Sequence, residues 1–122
     1  MKTVLYVEDN EANRKIVRQL LKNTGYSLVE AYDGEEGVAK AAELQPSLIL
    51  MDIQLPKISG LEAIRRIRAE AKSANTPIIA ITSFALSGDD KKAKEAGATD
   101  YLAKPYSPRD LLALIRKLLP EA

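Results

Sequence analysis

The chain has 122 residues, enough for one domain and not two, so we expect a single domain over residues 1–122. It contains no cysteine and no histidine, which excludes disulfides, thiol catalysis, Ser-His-Asp catalysis and metal sites that depend on either residue. A bound metal would therefore need oxygen ligands, as Mg²⁺, Ca²⁺ and Mn²⁺ do. The formal net charge of +1 is evidence against a nucleic acid or a membrane surface as the main partner. Since we find no signal-peptide pattern and no membrane-spanning stretch, we expect a cytoplasmic protein.

Strands and helices alternate in the first part of the chain. Apolar runs predict strands at residues 3–7 and 27–30, and apolar residues at helical spacing predict a helix at 11–23. Asp33 is a good N-cap for a second helix, because its side chain can accept a hydrogen bond from the first turn. The apolar stripe expected on this helix consists of Val38, Ala41 and Ala42.

A continuous apolar run at residues 48–51 leads directly into Asp52 and predicts a strand that is buried on both faces. The carboxyl end of such a strand is where ligands collect in open α/β sheets. For Asp52 taken alone, a plain strand-ending role is the alternative. The loop at 53–60 contains Pro and Gly, and a third helix is predicted at about 60–71. Its solvated face is expected to carry Arg65, Arg66 and Arg68.

The second part of the chain repeats the alternation of strands and helices. Strands are predicted at 78–82 and 100–103, and a helix that offers mainly alanines to the core is predicted at 87–96. Ser107 and Pro108 are a typical start for the last helix. Five strands that alternate with five helices predict an α/β fold: a doubly wound, five-stranded parallel sheet with helices on both faces.

Polar side chains with useful chemistry lie at the ends of the first, third, fourth and fifth predicted strands. They are Glu8 and Asp9, Asp52, Thr82, and Lys104. Because the carboxyl ends of parallel strands share one edge, we expect these groups to meet in one pocket. Carboxylates about 4 Å apart repel by about 4 kcal/mol at an effective dielectric of about 20, so three of them need a cation, and the oxygen ligands point to Mg²⁺. A carboxylate beside Mg²⁺ and a lysine can attack phosphorus, which predicts an acceptor site for an acyl phosphate.

The set Glu8-Asp9, Asp52, Thr82 and Lys104-Pro105 resembles the receiver domain of two-component response regulators, and the resemblance covers residues 4–119. It implies a flavodoxin-like (CheY-like) fold with strand order 2-1-3-4-5. It implies that Asp52 is phosphorylated and that Thr82 and Lys104 contact the phosphoryl group. The implied Mg²⁺ ligands are Glu8, Asp9, Asp52 and the backbone carbonyl of Gln54.

The resemblance also implies a switch and a cis peptide bond between Lys104 and Pro105. Tyr101 matches the aromatic switch position that works with Thr82, although plain packing of a strand aromatic is the alternative. Ser83 stands where the family frequently has a smaller alanine. Phe84 is expected to flank the path of an attacking water, together with Gln54, so slow self-dephosphorylation is the expectation.

The implied partner is a sensor histidine kinase or a histidine phosphotransfer protein, with a downstream protein target and with neither nucleic acid nor membrane. We expect the partner-facing residues on the rim of the pocket: Asn13, Ile16, Val17, Pro105 and Tyr106. Some of Ile16 and Val17 must also face the core, so only part of this set can contact a partner. A monomer is expected, or a weak homodimer through the face of the fourth helix, fifth strand and fifth helix. Since no output domain follows, we expect a stand-alone receiver of the DivK type, with a fragment of a hybrid histidine kinase as the alternative.

Three other functions are weighed against this interpretation. An aspartyl phosphatase of the haloacid dehalogenase kind usually carries Asp-x-Asp at its nucleophile, whereas Gln54 stands at the second position here. A flavin binder would need a Ser/Thr/Gly-rich phosphate loop after the first strand, where the acidic residues 8–11 would repel phosphate. A pseudo-receiver that only binds partners is disfavoured by the intact set of acids, Thr82 and Lys104.

Overall fold

The computed structural model describes residues 2–82 and 88–120, and within them five strands form one parallel sheet. The strands are β1 (Lys2–Val7), β2 (Tyr26–Ala31), β3 (Leu48–Asp52), β4 (Ile78–Thr82) and β5 (Asp100–Ala103). The α-helices are α1 (Glu11–Leu21), α2 (Gly34–Leu44), α3 (Gly60–Ala69), α4 (Asp89–Ala96) and α5 (Pro108–Leu118), and a short 3₁₀ helix covers Ala71–Ser73. The strand order is β2-β1-β3-β4-β5 with every neighbouring pair parallel, which confirms the predicted doubly wound topology.

Two hydrophobic clusters hold the helices on opposite faces of the sheet. All five residues of β3 are buried, as its apolar run predicts. One cluster packs Leu5, Ile49 and Met51 against α2, α3 and α4, and the other packs Tyr6 and Leu50 against α1 and α5. Burial on both faces accounts for the continuous apolar sequence of the central strands.

Side-chain caps begin four of the helices at the edge of the sheet where β1 and β3 end. Asp33 and Ser107 accept hydrogen bonds from the first turns of α2 and α5, and Pro108 is the first residue of α5, so both predicted helix starts are confirmed. Asn10 and Ser59 cap α1 and α3 in the same way. The caps at Asn10 and Ser59 fix the start of the helices that follow β1 and β3, the two strands that carry the acids.

Several predicted boundaries differ from the observed ones. The helix α1 ends at Leu21 rather than at 23, because Thr24 turns back and bonds to the Leu21 carbonyl. The strand β2 extends one residue beyond 27–30 at each end, because it pairs with β1 along all six residues. The helix α3 ends at Ala69 because the next residue is extended. The helix α4 ends at Ala96 as expected, whereas its predicted start at Ser87 lies outside the described residues.

Two side-chain predictions for the helices are wrong. Ala42 is exposed, because it lies about 100° around α2 from the buried Ala41. Gly37 takes the inward position instead, at a point where a Cβ would lie 2.7 Å from the Val7 side chain. Arg68 is also not on a solvated face, because its guanidinium donates to backbone carbonyls beyond α3. The two other arginines of α3 are exposed, as predicted.

Within the described residues, none of the helices combines the length and the apolar character that crossing a membrane requires.

Candidate functional site

The structure brings the predicted acids together at the carboxyl edge of the sheet. Glu8 and Asp9 follow β1, Asp52 is the last residue of β3, and one carboxylate oxygen of each lies within 4.8 Å of the other two. Lys104 follows β5 and places its Nζ 2.8 Å from Asp52 Oδ2 and 3.2 Å from Glu8 Oε1. Thr82 ends the intervening strand, fully buried, and its carbonyl accepts the Lys104 backbone N–H at 2.6 Å. We call Glu8, Asp9 and Asp52 the acidic cluster.

Asp52 is held in a fixed position by its backbone and by both of its carboxylate oxygens. It is 2% exposed, and its Oδ1 accepts a 2.8 Å hydrogen bond from the Gln54 backbone N–H. The start of α3 packs against the backbone of Asp52 so closely that a Cβ on Gly60 would lie 2.0 Å from the Asp52 carbonyl oxygen. Only glycine fits there without displacing the loop that follows the strand.

Glu8 is 1% exposed and accepts hydrogen bonds on both carboxylate oxygens. Three donors converge on Oε1: the Tyr6 hydroxyl at 3.3 Å, Asn13 Nδ2 at 3.3 Å and Lys104 Nζ at 3.2 Å. The Asn10 backbone N–H donates to Oε2 at 3.2 Å. This set of donors compensates the desolvation of a buried carboxylate.

Two contributors at this position are absent from the sequence-based prediction. Tyr6 is two residues before Glu8 and therefore on the same face of the strand, which was a usable signal. Burial is the largest cause that raises the pKa of Tyr6, so the phenol stays protonated and can donate. Arg14 is buried, donates from Nη1 to the Glu8 carbonyl at 2.8 Å and stacks on Tyr32 at 4.3 Å from the ring centroid. Only the fold could reveal these contacts of Arg14.

Charge is unevenly distributed in this pocket. Asp9 is exposed, and desolvation followed by its hydrogen bond to Glu8 raises the pKa of its carboxyl above the usual value. Desolvation acts to lower the pKa of Lys104, but hydrogen bonds and charges from Asp52 and Glu8 outweigh it and raise that pKa. When all four groups are ionised, three negative charges and one positive charge leave a net charge of −2. Carboxylate oxygens at this spacing fit a hard divalent cation such as Mg²⁺.

A cleft of about 530 Å³ opens beside Lys104. Its lining residues are Asn13, Ile16, Lys104, Pro105, Tyr106 and Pro108, which include four of the five predicted partner-facing residues. Val17 does not belong to this surface, because its side chain is fully buried in the core cluster with α5, so that prediction is wrong. Ile16 is 46% exposed and faces outward. The peptide bond between Lys104 and Pro105 is cis, as expected.

The predicted switch residue Tyr101 lies on β5. Tyr101 is partly buried and packs against the hydrophobic cluster that includes Ala93 and Ala96 of α4. This contact suits plain packing as well as a switch, so the switch role stays a prediction. Ser83 and Phe84 lie outside the described residues.

Comparison with known proteins gives consistent matches in sequence and in structure. Residues 4–116 match the family described as the response regulator receiver domain. The polar-differentiation response regulator DivK of Brucella anthropi is 39% identical over 121 residues, which cover 99% of this chain and 98% of that protein. The structure of the chemotaxis response regulator CheY4 of Vibrio cholerae superposes with a TM-score of 0.91 at 32% identity, covering 98% of this chain and 99% of that one.

A further solved structure bears on the metal. The receiver domain of the sensor histidine kinase PA1611 from Pseudomonas aeruginosa PAO1 is 37% identical, with a TM-score of 0.89 and coverage of 96% of both chains. That structure is described as having a magnesium ion coordinated in the active site cleft. The acidic cluster of this chain is typical of the family's metal site.

Proposed function

We infer a phosphoacceptor function for this chain, which belongs to the response regulator receiver domain family. It is thus a signalling domain rather than a conventional enzyme. We propose that Asp52 accepts a phosphoryl group from a partner's phosphohistidine in a Mg²⁺-dependent reaction, and that residues 1–122 act as a single receiver domain. The observation that carries this proposal is the position of Asp52, which is buried in an all-oxygen acidic cluster with Lys104 Nζ 2.8 Å from its Oδ2.

The proposed metal ligands are the carboxylates of Glu8, Asp9 and Asp52 and the backbone carbonyl of Gln54. When bound, Mg²⁺ would neutralise charge on the cluster and on the oxygens of the transferring phosphoryl group. A carboxylate oxygen of Asp52 forms a new bond to phosphorus while the nitrogen–phosphorus bond of the phosphohistidine breaks. The electron pair of the broken bond returns to the imidazole nitrogen of the partner. The Lys104 ammonium, already beside Asp52, pairs with a phosphoryl oxygen, and the Thr82 hydroxyl donates a hydrogen bond to another. The domain would catalyse its own phosphorylation and dephosphorylation and no other reaction.

The phosphoryl donor must be another molecule, because this chain has no histidine. We propose that a sensor histidine kinase or a histidine phosphotransfer protein docks at the cleft beside Lys104. The cleft offers the exposed Ile16 side chain together with Pro105 and Tyr106, next to the only lysine in contact with Asp52 among the described residues. The partner-facing set that we retain is Asn13, Ile16, Pro105 and Tyr106.

We propose that the output is a change in protein–protein contacts on the face made by α4, β5 and α5. A shallow groove of about 380 Å³ there is lined by residues that include Tyr101, Leu102 and Leu114. Thr82 and Tyr101 would act as the switch between the phosphorylation site and this face. The chain would act as a monomer or a weak homodimer through the same face, with a downstream protein target.

Intact mass measurement tests the phosphoacceptor. We expect the protein, incubated with Mg²⁺ and a small acyl-phosphate donor, to gain one phosphoryl group. The Asp52→Asn variant should gain none while keeping its fold, whereas Asp110→Asn, at an exposed position on α5, should gain the adduct as the unmodified chain does. An undiminished adduct in Asp52→Asn would refute the assignment. Rapid consumption of the donor without an adduct would favour an aspartyl phosphatase instead.

A further inference from the structure

A buried tyrosine hydroxyl lies beside the acidic cluster. Tyr6 is fully buried in the core under α1 and α5, and its hydroxyl donates to Glu8 Oε1 at 3.3 Å. An ionised carboxylate only accepts hydrogen bonds, so the Tyr6 hydroxyl is the donor in this contact.

Tyr6 differs from the two other side chains that donate to Glu8 Oε1. Asn13 and Lys104 both line the open cleft, and Lys104 divides its ammonium between Glu8 and Asp52. Tyr6 comes from the middle of the sheet and has its ring fixed by packing on all sides. A rigid donor holds a long glutamate side chain in one rotamer, which lowers the ordering cost of binding a cation.

We propose that Tyr6 is a positioning residue for Glu8, whose carboxylate it holds in the orientation that binds the cation. The proposal rests on the Mg²⁺ function that we propose for the acidic cluster. Loss of the Tyr6 hydroxyl would therefore lower the affinity of the cluster for the cation. The alternative is that the hydroxyl contact serves only the stability of the core.

Tyr26 provides a matched control for this alternative. It belongs to the same core cluster and is also buried, and its hydroxyl donates to the Leu119 carbonyl. It pairs with Lys2 at the start of the strands, at the edge of the sheet away from the acids. Tyr26→Phe thus removes a buried tyrosine hydrogen bond without touching the cluster.

Calorimetric titration with Mg²⁺ tests the proposal on the unmodified chain and on its variants. We expect Tyr6→Phe to weaken Mg²⁺ binding about three- to tenfold, the range for losing one hydrogen bond. Tyr26→Phe should lower the Tm and leave the Kd for Mg²⁺ unchanged.

The outcomes separate this inference from the proposed function. If the unmodified chain binds no Mg²⁺, the proposed metal site fails and the positioning role fails with it. If the chain binds Mg²⁺ and Tyr6→Phe binds it equally well or more tightly, the positioning role of Tyr6 is refuted and the metal site stands. In the NMR spectrum of the unmodified chain, the ring resonances of Tyr6 should shift when Mg²⁺ is added, whereas those of Tyr26 should not. Should Tyr6→Phe not fold, the absence of this shift overturns the positioning role.

Discussion

Asp9 is the exposed member of an acidic cluster whose other two members are buried, so its charge is the easiest to remove without disturbing the core. The Asp9→Asn variant should weaken Mg²⁺ binding on the order of tenfold or more, because it deletes a charged ligand. In the presence of a chelator the same variant should be more stable than the unmodified chain at pH 7, since one repulsive charge near Asp52 and Glu8 is gone.

The pH dependence gives a second check on Asp9. Its pKa in the folded chain is raised above the ordinary value of 3.8, so ionisation of this carboxyl destabilises the metal-free fold. This loss of folding stability is present in full above the raised pKa of Asp9, and it disappears as the pH falls below 3.8. Thermal unfolding in chelator should therefore show an advantage of Asp9→Asn at pH 7 that vanishes at acid pH. A less stable Asp9→Asn protein at pH 7 would contradict the crowded cluster.

The sequence is informative about residues whose position alone determines their environment. Asp52 and Lys104 could be placed in the site because each ends or follows a strand, and all parallel strands end at the same edge. Tyr6 carried the signal of lying on the same strand face as Glu8, but its bond to Glu8 depends on a rotamer that packing selects. Val17 and Ile16 are adjacent on α1, and periodicity alone did not decide which of them faces the core.

At the scale of elements, Arg68 links the carboxyl end of α3 to the segments on either side of β4. Its guanidinium donates to the carbonyls of Gly97 at 2.8 Å, Ser73 at 2.8 Å and Thr76 at 2.6 Å. We expect Arg68→Ala to lower the free energy of unfolding by about 2 kcal/mol or more, because bonds to a charged donor are lost together. Chemical denaturation would measure this change.

Arg65 is the matched control for Arg68, since it is exposed on the same helix and pairs only with Glu62 in the described residues. Surface pairs of this kind contribute little, so Arg65→Ala should change stability by less than about 0.5 kcal/mol. Charge reversal at Arg65 should also leave phosphotransfer unaffected if the partner docks at the cleft beside Lys104. A large loss of phosphotransfer in that variant would indicate that the partner docks on α3 instead.

The behaviour of Arg68 also shows where element-level prediction stops. Helical periodicity separated it from the apolar stripe of α3, and a polar residue off the stripe is usually solvated. The carbonyls that it reaches belong to segments up to 29 residues away in sequence, as the bond to Gly97 illustrates. Long-range contacts of this kind depend on how α3 and α4 pack together, which local pattern does not encode.

At the scale of the whole molecule, the edge of the sheet where the strands begin and the edge where they end have different roles. At the edge where the strands begin, Lys2 donates to the Pro120 carbonyl and Tyr26 donates to the Leu119 carbonyl, so the end of α5 is fastened to β1 and β2. At the other edge, like charges are gathered in the acidic cluster, which is unfavourable without a cation. Contacts at the first edge help the fold to tolerate this electrostatic cost at the second.

The proposed switch predicts which part of the molecule should respond to phosphorylation. The buried residues of α4 in the described structure are Ala93 and Ala96, and with such small anchors we expect the helix to have low local stability. It lies in sequence between Thr82, at the proposed phosphorylation site, and Tyr101, which packs against the same cluster as α4. If Thr82 moves toward a phosphoryl oxygen, it vacates space near β5, and the two arrangements then differ in interaction energy.

Hydrogen exchange with and without an acyl-phosphate mimic tests this switch on the whole chain. We expect the largest changes in protection at residues 84–97 and around Tyr101, because repacking of the ring would loosen or tighten α4 and β5 together. The helix α3 serves as the internal reference, since it buries the larger side chains of Ile64 and Ile67 in the same cluster. Changes confined to α2 and α3 would mean that the signal leaves the acidic cluster by another route, and the α4-β5-α5 face would then lose its proposed role in output.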